Sequence, residues 1–141
     1  MSPSTPAAAR VVKAGTAYFG AVFATGVLLG TIREAVVAPA LGSEVAVLLE
    51  LPLMLVLSWF ASQWTVAYFR VPTTNAARIN MGGLAFALLM GGELAIWSLA
   101  SVRSVADGFR SFVNPTSILT LGAQLAFAFF PLVQLRREAA G

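Results

Sequence analysis

The chain has 141 residues, of which 58% are hydrophobic and only 11% are charged, with nine Lys and Arg against six Asp and Glu. Soluble domains carry about 25% charged residues, and a chain so poor in charge could not cover the surface of a water-soluble core. The composition therefore predicts an integral membrane protein. The sequence also has no Cys and no His, which excludes disulfides, thiol nucleophiles, imidazole bases and the usual zinc and iron–sulfur sites. We expect no metal and no cofactor.

Residues 1–10 are rich in Pro, Ser and Ala, and they predict a disordered tail. A single transmembrane domain follows over residues 11–137, because four apolar stretches each reach the roughly 20 residues that a spanning helix needs. We predict the spans at about 14–34, 45–69, 79–102 and 116–135. The predicted fold class is all-α, an integral membrane four-helix bundle that ends in a short C-terminal tail at 138–141.

The first span also has features of a secretory signal. Arg10 and Lys13 precede it, and Ala38-Pro39-Ala40 has the form of a cleavage site. Its uncharged run from Ala14 to Ile32 is longer than a signal core, however. The length favours a retained spanning helix.

The loop between the third and fourth spans allows two interpretations. Residues 103–114 place apolar side chains at helical spacing, which is typical of a short interfacial helix. Gly108 favours a plain loop equally. At the end of this segment, Asn114 and Pro115 have the form of an N-cap and a first helical residue.

Loops alternate sides in a four-span protein, so the basic residues divide into two groups. Six lie at the termini and in the second loop: Arg10, Lys13, Arg70, Arg78, Arg136 and Arg137. The other three lie in the first and third loops: Arg33, Arg103 and Arg110. The positive-inside rule then predicts both termini in the cytoplasm and the inner (plasma) membrane as the location. No stacked aromatic side chains accompany the basic ends, so we expect contact with the lipid bilayer and no nucleic-acid partner.

Two acidic side chains fall inside spans, where an ionised group costs about 2.5 to 3.5 kcal/mol on insertion scales. At a rise of about 1.5 Å per residue, Glu50 lies roughly 10 Å and Glu93 roughly 3 to 4 Å from the midplane toward the outer face. Gln124 lies near the midplane, and Arg33 and Glu34 lie at the outer end of the first span. These five residues are the candidates for ion or proton binding. They predict a polar path in the outer half of the bundle, with no counterpart in the inner half.

Residue spacing adds two expectations about the helix faces. Ser117, Thr120 and Gln124 recur at spacings of three and four, which places them in one polar stripe. Small residues allow close helix packing in membranes. We predict that role for four glycines of the first and third spans: Gly26, Gly30, Gly91 and Gly92.

Two functions remain open. Carboxylates at Glu50 and Glu93 beside Arg33 favour a proton- or cation-linked transporter or channel, which we expect to be a homo-oligomer because four helices enclose little interior. Alternatively, Arg33 pairs with Glu50 or Glu34 as a structural lock. The protein is then a non-catalytic accessory or scaffold subunit with a membrane-protein partner. No nucleophile or metal motif supports an enzyme.

Overall fold

The computed structural model describes residues 5–100 and 115–141, and these are almost entirely helical. The elements are α1 (Thr5–Ile32), a π-helical segment (Arg33–Val37), α2 (Ala38–Leu41), α3 (Ser43–Phe69), α4 (Asn75–Ala100) and α5 (Pro115–Ala140). In this part of the chain, four helical stretches are long and apolar enough to cross a membrane: Pro6–Leu41, Ser43–Phe69, Asn75–Leu99 and Pro115–Ala140. The predicted fold class is confirmed, and the chain is a multi-pass membrane protein built as an all-α four-helix bundle.

Both ends of the described chain are more helical than predicted. α1 begins at Thr5, inside the predicted tail at 1–10, and α5 continues to Ala140, through most of the predicted tail at 138–141. Ala is the best helix former and is frequent in both segments. The described residues do not include 1–4, the predicted interfacial helix or loop at 103–114, or its Asn114 cap.

The helices are arranged so that α1 packs against α3 and α4, and α5 packs against the same two. Arg33 bonds to Glu50 near the start of α3, and Glu93 near the end of α4 bonds to Gln124 near the start of α5. Both contacts lie at the same end of the bundle, which we name the cavity end. The opposite end is named the basic end after the residues it carries: Arg10, Lys13, Arg70, Arg78, Arg136 and Arg137.

The basic half of the bundle is filled by a core around Tyr18, whose side chain is fully buried. Pro131 lies inside α5 and has no N–H, so the carbonyl of Phe127 lacks its helical donor. The Tyr18 hydroxyl donates to this carbonyl at 2.8 Å, and the two rings stack with their centroids 4.2 Å apart. The proline thus leaves an acceptor through which α1 is tied to α5.

α4 and α5 approach closely at Gly82. A Cβ atom at this position would overlap with the backbone carbonyl oxygen of Ala128 on α5. Only a residue without a side chain fits between the two backbones, so Gly82 sets the separation of these helices.

The first spanning stretch contains a wider π-helical turn near its end, at Arg33–Val37. Pro39 follows this turn; it has no N–H to donate to the carbonyl of Ala35, and its ring disfavours a regular helix there. The backbone widens instead, and the N–H of Ala38 bonds to the carbonyl of Arg33. The proline therefore explains the irregular backbone at Arg33, the first residue of the site.

Candidate functional site

A cavity of about 550 Å³ lies between the four spanning stretches in the cavity half of the bundle. Its wall is mostly apolar and includes the aromatic side chains of Phe23, Trp97 and Phe127. The volume falls in the range of about 300–1,000 Å³ that small-molecule sites occupy. Four of the five predicted site residues line this one cavity: Arg33, Glu50, Glu93 and Gln124. The fifth, Glu34, contacts Arg33 from outside it.

Arg33 forms two ion pairs. Its Nη1 donates to Glu50 Oε2 at 2.6 Å, and its Nε donates to Glu34 Oε1 at 3.1 Å. The Glu50 side chain is 15% exposed and the Glu34 side chain 66% exposed. Both pairings that the sequence left open are therefore present, and the buried one ties the end of the first stretch to α3.

Glu93 and Gln124 meet on the other side of the cavity, between α4 and α5. Gln124 Nε2 donates to both carboxylate oxygens of Glu93, at 2.6 and 2.8 Å. With the amide turned the other way, its carbonyl would face the carboxylate, so this contact fixes the orientation. Gln124 is 7% exposed, and its Oε1 has no hydrogen-bond partner among the described residues. The pair combines a carboxylate with a buried, unsatisfied acceptor.

The charged groups that line the cavity sum to a net negative charge when ionised, one Arg against two Glu. Arg33 compensates Glu50, whereas Glu93 has no Lys or Arg partner in the described part of the chain. Among those same residues, no group of three or more His, Cys, Asp or Glu could hold a metal ion. An apolar wall strengthens the attraction between opposite charges. Glu93 is thus a carboxylate without a cationic partner among the described residues, in a mostly apolar wall.

The four glycines predicted for helix packing have different surroundings. Gly26 and Gly30 line the cavity, where an added Cβ would have no neighbour closer than 3.5 Å. A Cβ at Gly92 would lie 2.9 Å from the ring of Phe23, whereas one at Gly91 would have no neighbour within 4 Å. The tight contact is at Gly92, and it joins α4 to α1.

A second polar region lies toward the basic end, where the sequence predicted none. Arg78, which the sequence analysis assigns to a loop, is 1% exposed. Its Nη1 donates to the carbonyl of Pro131 at 3.2 Å, and its Nη2 donates to Glu138 Oε2 at 3.3 Å. The expectation of no polar counterpart in this half is therefore wrong. The helix start explains the error, because the Thr74 hydroxyl accepts from the Ala77 N–H at 3.2 Å and caps α4 ahead of Arg78.

Two further side chains complete this region. Ser62 Oγ donates to Gln134 Oε1 at 2.8 Å, and Gln134 Nε2 donates to the carbonyl of Trp59 at 2.9 Å. We name this group the polar layer: Ser62, Arg78, Gln134 and Glu138. Part of it has a signal in the sequence, since Gln134 and Glu138 are polar residues four apart and therefore lie on one face of α5.

No protein-family model matches the chain, and no curated protein or solved structure is significantly similar to it.

Proposed function

We propose that the protein is a cation- or proton-linked transporter of the inner (plasma) membrane, with Glu93 as the binding carboxylate. The observation that carries this proposal is the convergence of Arg33, Glu50, Glu93 and Gln124 on one cavity. Ionisable residues inside a membrane domain mark ion pathways and proton relays by default. The basic residues gathered at the opposite end support cytoplasmic termini and a cavity that faces outward.

Each polar residue then has a separate role. The cation or proton enters from the cavity end and binds at Glu93, whose carboxylate is held by the Gln124 amide. The Arg33–Glu50 pair sets the local potential and fixes the wall. Release on the other side requires the residues of the polar layer to move apart. Their hydrogen-bonding groups can then exchange their protein partners for water. We propose a homo-oligomer as the working unit, since four helices enclose one small cavity.

Flux into proteoliposomes tests the role of Glu93. Glu93→Gln keeps the size of the side chain and removes its charge, so we expect proton or cation flux to fall to the level of empty vesicles. Glu44→Gln is the matched control, because Glu44 is exposed in the first turn of α3 and does not line the cavity. Unchanged flux in a Glu93→Gln protein that folds normally contradicts the proposal.

Glu50→Gln gives a second measurement in the same vesicles. It removes the charge of the buried partner of Arg33, so we expect reduced flux together with lower stability. Loss of stability with full flux per folded protein would restrict Glu50 to a structural role.

A non-catalytic accessory or scaffold subunit is the second candidate. The observation that favours it is the Arg33 contact with both Glu50 and Glu34, which ties two helices together and leaves Glu34 at a position that a partner can reach. Purification in mild detergent separates the two functions. A membrane-protein partner that is lost on Arg33→Ala favours the subunit, whereas an isolated homo-oligomer with flux favours the transporter.

A further inference from the structure

The hydrogen-bonding groups on one side of the cavity are unbalanced. Gln124 Nε2 donates to both oxygens of Glu93, while Gln124 Oε1 is buried and accepts from no described group. An unsatisfied buried acceptor carries a desolvation penalty, so it indicates strain, an unseen partner or a functional role. Together, the carboxylate and the amide carbonyl form a pair of acceptors that lacks a positively charged donor.

An arriving ammonium group can satisfy both acceptors. The terminal torsion of a Gln side chain is broad and roughly two-fold, so the Gln124 amide can turn once Glu93 receives another donor. Its carbonyl then faces the same ammonium, and its NH₂ group moves to the buried position that Oε1 occupied; the charge-assisted bonds of the ammonium to the carboxylate and the carbonyl offset the loss of the NH₂ contacts. A primary ammonium offers three N–H donors, enough for the carboxylate and the carbonyl together, whereas a quaternary ammonium offers none.

The rest of the wall indicates an apolar body for the same ligand. The apolar lining of the cavity includes Phe23, Met54, Ile96 and Trp97. Aromatic faces attract cations as well as apolar groups. Arg33 does not offset the charge of Glu93, because Arg33 is already paired with Glu50 and Glu34. A cation with an apolar portion therefore fits this wall better than a bare inorganic ion or an anion.

We infer that the cavity binds a primary amphipathic amine, with its ammonium group on Glu93 and Gln124 and its apolar portion against the aromatic wall. This inference rests on the proposed function and names its substrate class. The ammonium can belong to a free amine or to the headgroup of an aminolipid, and the two sources share the same contacts.

Calorimetric titration of the full-length protein in phosphatidylcholine nanodiscs tests the inference, with empty nanodiscs subtracted. Phenethylammonium is the probe, and it is compared with its trimethylated analogue, phenethyl alcohol and phenylpropionate. Charge-assisted hydrogen bonds donated by its N–H groups should make the primary amine bind about tenfold or more tightly than the trimethylated cation. Phenethyl alcohol should bind more weakly still, and phenylpropionate should not bind. Equal or tighter binding of the trimethylated cation or the alcohol overturns the inference.

Two substitutions separate charge from N–H recognition. Glu93→Gln should remove the preference for both cations over the alcohol. Gln124→Met should weaken binding of the primary amine about tenfold while leaving the trimethylated cation unchanged. Glu44→Gln and Gln63→Met, both at exposed positions, are the matched controls. Equal losses for both cations in Gln124→Met would exclude Gln124 as an N–H acceptor. If Glu93→Gln does not fold, the analogue series on the unmodified protein remains decisive.

The binding readout is independent of transport. Amine binding without flux supports this inference and contradicts the proposed function, whereas cation flux without amine binding does the reverse. Phosphatidylethanolamine added to the nanodiscs identifies the source of the ammonium. Competition with phenethylammonium assigns the site to a lipid headgroup, and absence of competition assigns it to a free amine.

Discussion

At the scale of single residues, the bundle is held by side chains that satisfy backbone groups on other helices. The Tyr18 hydroxyl donates to the Phe127 carbonyl, and Arg78 donates to the Pro131 carbonyl. In an apolar surrounding, the Phe127 carbonyl would otherwise lack a donor, because Pro131 has no N–H to supply. These contacts add to the few side-chain pairs that join the helices, which are apolar on most of their surface.

Tyr18→Phe tests the value of one of these contacts. The substitution keeps the ring that stacks on Phe127 and removes only the hydroxyl, so the carbonyl freed by Pro131 loses its donor. We expect the free energy of unfolding to fall by about 0.5–2 kcal/mol, measured by reversible unfolding in mixed micelles. Tyr68→Phe is the control, because the Tyr68 side chain is 67% exposed. An equal effect of both substitutions would mean that the hydroxyl bond contributes nothing specific.

At the scale of helices, glycine and proline determine where the backbones meet and where they become irregular. Gly82 permits the contact of α4 with α5, Pro131 frees the acceptor for Tyr18, and Pro39 follows the π-helical turn at Arg33. The spanning helices are apolar on most of their surface. Hydrophobic patterning therefore determines little about which helix faces pack together. The glycine and the two prolines determine these contacts instead.

Replacement of two adjacent glycines of α4 by Ala should change the stability in opposite directions. Gly82→Ala places a methyl group against the Ala128 carbonyl, which neither backbone can avoid without separation of the helices. We expect a loss of about 1–3 kcal/mol from overpacking. Gly83→Ala meets no atom within 4 Å, so it should gain up to about 1 kcal/mol from helix propensity. Thermal unfolding of both variants in one detergent gives the comparison. A similar change in both would show that the helices are not in close contact at Gly82.

The sequence predicted the candidate site better than it predicted the packing. Glu50, Glu93 and Gln124 stand out because a polar group inside an apolar span has an evident energetic penalty. Their partners could not be assigned uniquely, since helix order around the bundle depends on three-dimensional packing that residue spacing does not encode. Arg78 was missed for a different reason: an Arg beside a predicted loop is ordinary, and only the Thr74 cap reveals that it lies inside a helix.

At the scale of the whole molecule, the two halves of the bundle differ in packing and in charge. The basic half holds the buried core around Tyr18 and the polar layer, and the other half holds the cavity. Of the charged residues described at the cavity end, one is basic and four are acidic: Arg33, Glu34, Glu44, Glu50 and Glu93. Charge asymmetry of this kind orients a membrane protein and favours cations at the acidic end.

Cysteine labelling tests the orientation, and the chain has no native Cys to interfere. Ala40→Cys lies at an exposed position in α2 at the cavity end, and Thr73→Cys lies at an exposed position between α3 and α4 at the basic end. A membrane-impermeant maleimide should label Ala40→Cys on intact cells and Thr73→Cys only after permeabilisation, because the positive-inside rule predicts that the basic end is retained in the cytoplasm. Val27→Cys lines the cavity, so a small impermeant cationic thiosulfonate should reach it from the outside alone. The reverse pattern at Ala40 and Thr73 would invert the topology and make the cavity cytoplasmic. Labelling of both from one side would contradict the four-span arrangement, whichever way the cavity opens.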